Sequence, residues 1–245
     1  MPLRKCTQLI KMEKQLEKMY NKIIIEVGGN AGDDTQRYAS IPDTFVYSFE
    51  PVPLLAGRLK DKFRDTPNVE ILQLAVSDFD GQAEFGISGP DETWNMGCSS
   101  LNNFNSNIGN EWGGRKDFQF MDKTLTGVMR MDTFMHECNL DEIEFLHCDA
   151  QGSDLKVLQS FGEKLHLLKA GRVEAANTVS LYDGVDNSVY SIIKFLEEND
   201  FHIDAIVNHF GEELKSTDEL PNSTEEVDVY FTNKKYYNER RELTY

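Results

Sequence analysis

Carboxylates recur along this chain where short apolar runs stop, and one of those runs stops in glycines. Residues 23–27 carry Glu26 into the turn Gly28-Gly29-Asn30-Ala31-Gly32, and a second run closes on Phe49-Glu50-Pro51. A buried strand that feeds a glycine turn, a helix and a second strand tipped by an acid is the nucleoside-binding half of a doubly wound α/β fold. The glycines admit a ligand close to the backbone, and Glu50 stands where an acid accepts hydrogen bonds from ribose hydroxyls. A pyrophosphate suits the turn poorly. Asn30 and Asp33 occupy the second and third glycine positions of a dinucleotide fingerprint, Asp34 follows, and anions at a helix start repel phosphate. The turn suits a nucleoside cation without phosphates, of which S-adenosylmethionine is the common example; for this segment alone, a glycine turn with no ligand is the plainer alternative.

The elements that must position these groups follow from the apolar periodicity. At 245 residues, 40% of them hydrophobic, the chain can bury the core of one domain with a small insertion. Leu9, Met12, Leu16 and Met19 share one face of a helix over 7–21 that packs on the core. A helix from Asp33 to before Pro42, a strand at 45–49, a helix at 53–63 begun by its proline, and a strand at 69–76 come next. A short antiparallel strand is expected at 82–87, one or two strands at 118–131, a helix at 133–138 and a strand at 143–148 ending at Asp149. A helix at 153–160, a strand at 167–173 ending at Glu174, a helix at 189–198 and strands at 201–207 and 227–231 complete the pattern. Strands alternating with helices at this spacing predict a doubly wound, mostly parallel seven-stranded sheet flanked by helices, with a short antiparallel insertion. The main domain is expected over 22–235, with a lid or insertion at about 82–130, and 236–245 is a tail. Residues 89–114, rich in Gly, Asn and Ser with Trp94 and Trp112, suit a substrate-covering lid.

Composition narrows the partners. A net charge of -17 argues against nucleic acid, whose phosphates need clustered Lys and Arg. No apolar run spans a bilayer and no secretory signal opens the chain, so a cytoplasmic location without membrane attachment is expected. Cys6, Cys98, Cys138 and Cys148 form no C-x-x-C pair, and reduced thiols are the simple expectation.

Four consecutive strand ends carry polar groups: Glu26 with its turn, Glu50, Ser77 with Asp78, and Asp149. In a doubly wound sheet, ligands bind outside the carboxyl ends of the strands where strand order reverses. The pattern E-x-G-x-N-x-G with an acid closing the next strand resembles class I methyltransferases. More specifically, EVGGNAG (26–32), FEP (49–51), AVSDFDG (75–81), SSL (99–101), RMDTF (130–134), FLHCDAQGSDLKVL (145–158) and RVEAAN (172–177) stand in the order seen in FkbM-type methyltransferases. The AQGSDLKVL segment is similar to the family's D-x-Q/E-G-x-E-x-x-V-L. Asp154 stands where the family usually has Glu, His147 where Lys is frequent, and Glu26 where Asp is commoner.

The resemblance implies an S-adenosylmethionine-dependent O-methyltransferase acting on a hydroxyl of a sugar, glycan or related small molecule. It implies a cofactor site of Glu26, Gly28, Gly29, Asn30, Gly32, Glu50, Ser77, Asp78 and Asp149. In that site the glycine turn passes under the amino acid part, Glu50 binds the ribose, and Ser77 and Asp78 flank the adenine. Methyl transfer to a hydroxyl needs alignment, exclusion of water and a base for the departing proton. Asp149 is the first candidate base and Glu174 the second, and Asp149 equally suits orientation of the cofactor's amine. His147 projects from the same strand face as Asp149, either as a core histidine or as a base. Asp154 suits a structural charge at a helix start. Asp149, Glu174 and Asn177 offer oxygen ligands for magnesium, but acids at strand ends are expected without one, and no metal is assigned. The competing classes are an NAD-dependent oxidoreductase of similar topology and a cofactor- or carbohydrate-binding module without turnover.

Overall fold

A computed structural model describes residues 19–89, 96–106, 118–177, 180–214 and 226–237. Eight strands form the main sheet in the order β10-β9-β11-β8-β7-β1-β2-β3. They are β1 (Lys22–Val27), β2 (Thr44–Phe49), β3 (Val69–Leu72), β7 (Phe145–Cys148), β8 (Ala170–Ala176), β9 (Phe201–Asn208), β10 (Glu213–Leu214) and β11 (Glu226–Asn233). Strands β3, β2, β1, β7 and β8 run parallel, while β11 is inserted antiparallel between β8 and β9. The seven expected strands are present, and the two-residue β10 adds an antiparallel edge beside β9. Chain order runs one way from β1 to β3 and the other way from β7 to β8. The reversal therefore falls between β1 and β7, where a doubly wound sheet opens a crevice.

Apolar side chains on both faces of the parallel strands explain their burial between layers. On one face Ile25, Tyr47 and Phe49 pack with Phe134 and Met135 of α3 (Met131–Cys138), Leu155 and Leu158 of α4 (Asp154–Gln159), and Ile192 and Leu196 of α5 (Val189–Glu198). The rings of Tyr47 and Phe49 each meet Phe134 edge-on at 5.0 Å between centroids, a favoured aromatic geometry. On the opposite face Ile24 and Val46 pack under Tyr38 of α1 (Asp33–Ala39). Nearer the carboxyl ends this face turns polar: strand register sets Ser48, Glu26, His147 and Arg172 side by side. Helix α2 (Pro53–Lys62) links β2 to β3 and starts, as expected, at its proline.

Several boundaries differ from expectation for local reasons. The strand expected at 69–76 breaks, because Leu74 N bonds back to Leu72 O at 2.9 Å in a three-residue turn. Beyond it, β4 (Ala75–Val76) leaves the main sheet and pairs with β6 (Phe120–Met129) in a second sheet of order β4-β6-β5, where β5 spans Gly81–Ser88. The antiparallel insertion is longer than the short strand expected, running the length of β5 against β6. Leu167, expected to open the 167–173 strand, instead closes a 3₁₀ helix, Gly162–Leu167, and β8 begins at Ala170. Strand β8 also continues past Glu174 to Ala176, because β11 pairs with it that far, so Glu174 lies within the strand and not at its tip. Most of the expected 7–21 helix lies outside the described residues, and 19–21 are turn and bend. Trp94, Trp112, parts of the expected lid and most of the tail also lie outside them. Among the described residues no helix is long and apolar enough to cross a membrane.

Candidate functional site

The parallel ladder continues one hydrogen bond beyond each strand. Glu50 N bonds to Leu72 O, Gly28 N to Phe49 O and Asp149 N to Val27 O, each at 2.9 Å. Three strand tips are thereby held level across the reversal point. Gly28 (φ +96°) fits there because a Cβ would stand 2.3 Å from the Asp149 backbone oxygen. Around these tips opens a cleft of about 560 Å³, its mouth included, lined by Gly28, Asn30, Glu50, Asp149, Ala150 and Gln151 on the polar side. Val76, Phe85, Met96 and Leu101 furnish apolar wall.

Glu50 is buried, and its two oxygens accept one backbone N–H each: Oε2 from Asn30 and Oε1 from Val52, both at 2.8 Å. Burial pushes its carboxyl up to about 7, against the pull of those two bonds and with a further push from Asp149.

Beside it, Gln151 joins two more acids. Its Nε2 donates to Asp149 Oδ1 at 2.6 Å and to Glu174 Oε2 at 2.9 Å, and its Oε1 accepts from the Tyr182 hydroxyl at 2.8 Å. Burial raises Asp149 despite hydrogen bonds from Gln151 and Glu174. Burial also lifts Glu174 well above the ordinary carboxyl value, and the Asp149 charge adds to it. Burial and the mutual repulsion of the two carboxyls thus both oppose charging them together.

The turn that presents Gln151 is itself clamped. Gln151 (φ +49°) and Gly152 (φ +86°) both adopt left-handed backbone. Asp154 Oδ1 accepts from Ala150 N at 2.8 Å, and its Oδ2 accepts from Asn187 Nδ2 at 3.1 Å. Fully buried, Asp154 is pushed up to about 7, first by burial and then by Asp149. From the far side Ser100 Oγ donates to Gln151 O at 2.7 Å, and Asn102 Nδ2 to Ser153 Oγ at 2.9 Å. Ser100 of the SSL segment and the adjacent Asn102 thus brace the turn that carries Gln151.

Of the expected cofactor residues, Gly28, Asn30, Glu50 and Asp149 line the cleft, and the others stand behind or beside it. Glu26 is buried below the glycine turn, where its Oε2 accepts from the hydroxyls of Thr35 and Ser48. Burial pushes it up to about 7, opposed by those two bonds. Gly29 and Gly32 serve packing: a Cβ would lie 2.5 Å from Ser48 Oγ at Gly29 and 2.6 Å from Leu59 Cδ2 at Gly32. Ser77 is buried with its hydroxyl 3.1 Å from Asp78 Oδ1, and exposed Asp78 gives its backbone oxygen to Arg130 Nη1 at 2.7 Å. Both follow directly on Val76 of the cleft wall.

His147 is a core histidine. It lies in the polar row under α1, with Nε2 against the Arg172 guanidinium. Burial and then the charges of Arg172 and Arg37 drive it well below its ordinary value, so it is neutral. Glu26, Asp34 and His147 bring potential ligand atoms within 4.8 Å of one another. Arg172 can only donate, however, so Nε2 is the acceptor and the proton sits on Nδ1. Nδ1, 3.9 Å from Glu26 Oε1 and 3.8 Å from Asp34 Oδ2, therefore turns a hydrogen and not a lone pair toward the carboxylates. With Nδ1 buried and making no hydrogen bond, the trio is a polar seam ill-suited to a cation.

Sequence reasoning missed Gln151, although it stands inside the quoted 145–158 motif, and it missed Tyr182, Ser100 and Asn187 as parts of the site. Tyr182 carries no local signal, since it meets Gln151 across 31 positions and Cys98 across 84.

With this geometry in hand, comparison with known proteins is direct. The family model described as the methyltransferase FkbM domain matches residues 26–236. The chain is similar to the 2-O-methyltransferase NoeI of Sinorhizobium fredii, with 25% identity over 170 residues that cover 66% of this chain and 68% of NoeI. Among solved structures, the N-methyltransferase NodS of Bradyrhizobium japonicum aligns with a TM-score of 0.45 and 10% identity, covering 94% of this chain and 95% of that one. An rRNA methylase of Streptococcus thermophilus aligns with a TM-score of 0.45 and 12% identity, covering 91% and 94%.

Proposed function

We propose, for a chain that belongs to the FkbM methyltransferase family, that the cleft binds S-adenosylmethionine and that methyl transfer is to a hydroxyl of a sugar, glycan or related small molecule. The observation that carries this reading is the meeting of Glu50, Gly28 and Asp149 on one cleft at the sheet reversal. Each Glu50 oxygen uses one lone pair on a backbone N–H, which leaves a second to accept a ribose hydroxyl. Gly28 and Asn30 let the amino acid part lie against backbone. Val76, Phe85 and Leu101 are apolar partners for an adenine ring, and Ser77 and Asp78, next along the chain from Val76, are assigned to its edge. Glu26 acts from below, holding the turn through Thr35 and Ser48.

When bound, S-adenosylmethionine supplies a methyl group on a cationic sulfur, and its transfer to oxygen is an in-line displacement. The protein's share is to hold the acceptor oxygen in line, keep water out and receive the hydroxyl proton. The Asp149–Glu174 pair is the receiver: burial raises the affinity of both carboxyls for a proton, and Gln151 N–H groups steady the charged form. Hydroxyl oxygen as the acceptor atom is supported by the 2-O-methyltransferase relative, and the net charge of -17 speaks against a polynucleotide acceptor.

Parallel calorimetric titrations of the full chain with S-adenosylmethionine and with NAD test the cofactor. Saturable binding of the first alone is expected, and binding of NAD in its place would overturn the reading. A screen of sugars and glycan fragments with labelled methyl donor, followed by mass spectrometry, tests the acceptor. Transfer confined to nitrogen or to RNA would overturn the hydroxyl assignment.

A further inference from the structure

Tyr182 belongs to no strand or helix, yet two distant segments, 98–104 and 151–152, close on it. Its ring stacks on Phe104 with centroids 5.4 Å apart and planes inclined by 19°. It also fills the space over Gly152, where a Cβ would sit 2.5 Å from the ring Cδ2. The side chain is 2% exposed. Its hydroxyl stands 2.8 Å from Gln151 Oε1 and 3.0 Å from the backbone oxygen of Cys98. Both neighbours are acceptors, so the phenol is the donor and its one hydrogen is shared between them, with the shorter contact to Gln151.

A donor at that point decides which way the Gln151 amide faces. With Oε1 turned to Tyr182, both hydrogens of Nε2 are directed at Asp149 Oδ1 and Glu174 Oε2. Rotated by half a turn, the amide would set its oxygen against two carboxyl oxygens and its NH₂ against a phenol hydrogen. We propose that Tyr182 is a positioning residue for methyl transfer, whose hydroxyl locks Gln151 in the one orientation that serves the Asp149–Glu174 pair. The inference rests on that pair being the proton receiver. Tyr182 itself does not line the cleft.

The lock matters because the pair's surroundings oppose its charge. Asp34 from α1, Glu50 beyond β2, Asp154 of α4, and Glu226 and Asp228 of β11 face it with like charge, and the Cys148 thiol is neutral. Arg172 on β8 is the cation these interactions include. Loss of ordered N–H donors would therefore make the pair take up protons at higher pH, and the acid limb of the rate profile would move upward.

Tyr182→Phe removes the hydroxyl and keeps the ring that packs on Phe104 and Gly152. In the full chain with nitrogen-labelled glutamine, the two Gln151 side-chain protons should be inequivalent and slow to exchange in the parent. In Tyr182→Phe they should exchange about tenfold faster, the worth of one hydrogen bond. The acid limb should move to higher pH while affinity for S-adenosylmethionine holds. Gln151→Ala should give the same shift, and the double variant should be no worse than Gln151→Ala alone. Unchanged Gln151 signals in Tyr182→Phe, or effects that add in full in the double variant, would overturn the proposal. Failure of the parent to bind S-adenosylmethionine would instead overturn the function above, with the Gln151 signals still deciding the lock.

Discussion

Glu50→Gln separates what the buried acid does for a ligand from what it does to the fold. Burial displaces its carboxyl from 4.5 up to about 7, which corresponds to roughly 3 kcal/mol. A carboxyl raised in the folded state holds more protons there than in the unfolded chain. Its contribution is therefore fully favourable below about pH 4.5, declines as pH rises to about 7, and stays at its minimum above that. Glutamine has no such dependence. It has, however, one oxygen where glutamate has two, so the N–H of Asn30 or of Val52 is left facing an NH₂ group, at a cost of about 1–3 kcal/mol. At pH 5 the variant should be less stable than the parent by about that amount. At pH 8 the parent has lost its own roughly 3 kcal/mol, and the two should come within about 2 kcal/mol of each other. Asp154 titrates in both proteins and cancels from the difference, whereas Glu26, which the Glu50 charge also pushes up, cancels only in part. Affinity for S-adenosylmethionine should meanwhile fall about tenfold to a hundredfold, since a hydrogen bond to a charged group contributes about 1.5–3 kcal/mol. Guanidinium denaturation at the two pH values and calorimetric titration read both effects. A stability difference that does not change with pH would refute the assigned burial of charge, and unchanged affinity would refute the ribose role.

Three further outcomes are expected. Gly28→Ala places a Cβ 2.3 Å from the Asp149 backbone oxygen at φ +96°, so S-adenosylmethionine binding should be lost with about 2 kcal/mol or more of stability, read by titration and denaturation. Asp154→Ala strips the acceptor from Ala150 N and Asn187 Nδ2 and should lower stability by about 2–4 kcal/mol in calorimetry, while an equally stable variant would contradict the clamp. His147 is held neutral by burial and by Arg172, so its contribution is present above its ordinary value of 6.5 and is lost as pH falls below it. His147→Gln, which can still accept from Arg172, should show a smaller drop in melting temperature between pH 7 and pH 5 than the parent.

Much of this molecule was legible in its primary structure because its determinants are local. Apolar runs of four to six residues closed by Gly28, Glu50 or Asp149 declare parallel strands and their tips, and Pro53 declares the start of α2. Parallel strands must align their carboxyl ends, so Gly28, Glu50 and Asp149 were bound to meet once the strand order was right. The doubly wound class was expected, and the strand order itself came from the structure.

What local pattern cannot carry is the outcome of contacts between distant segments. Whether Glu174 ends a strand or lies within it depends on β11 pairing alongside, some fifty positions later, and β4 leaves the main sheet because of one bent turn at Leu74. His147 and Glu26 share the type of chemistry that Asp149 has, but pleating and the roof of α1 turn them into a buried seam. Gln151 gains its place only when Ser100 from one loop, and Tyr182 and Asn187 from another, converge on its turn. Residue type and spacing by themselves determined the strands, the glycine bend and the acids that crown the sheet. Which acids are paired, protonated or sealed from the cleft was decided by tertiary packing alone, because burial and hydrogen-bond partners are properties of neighbours in space.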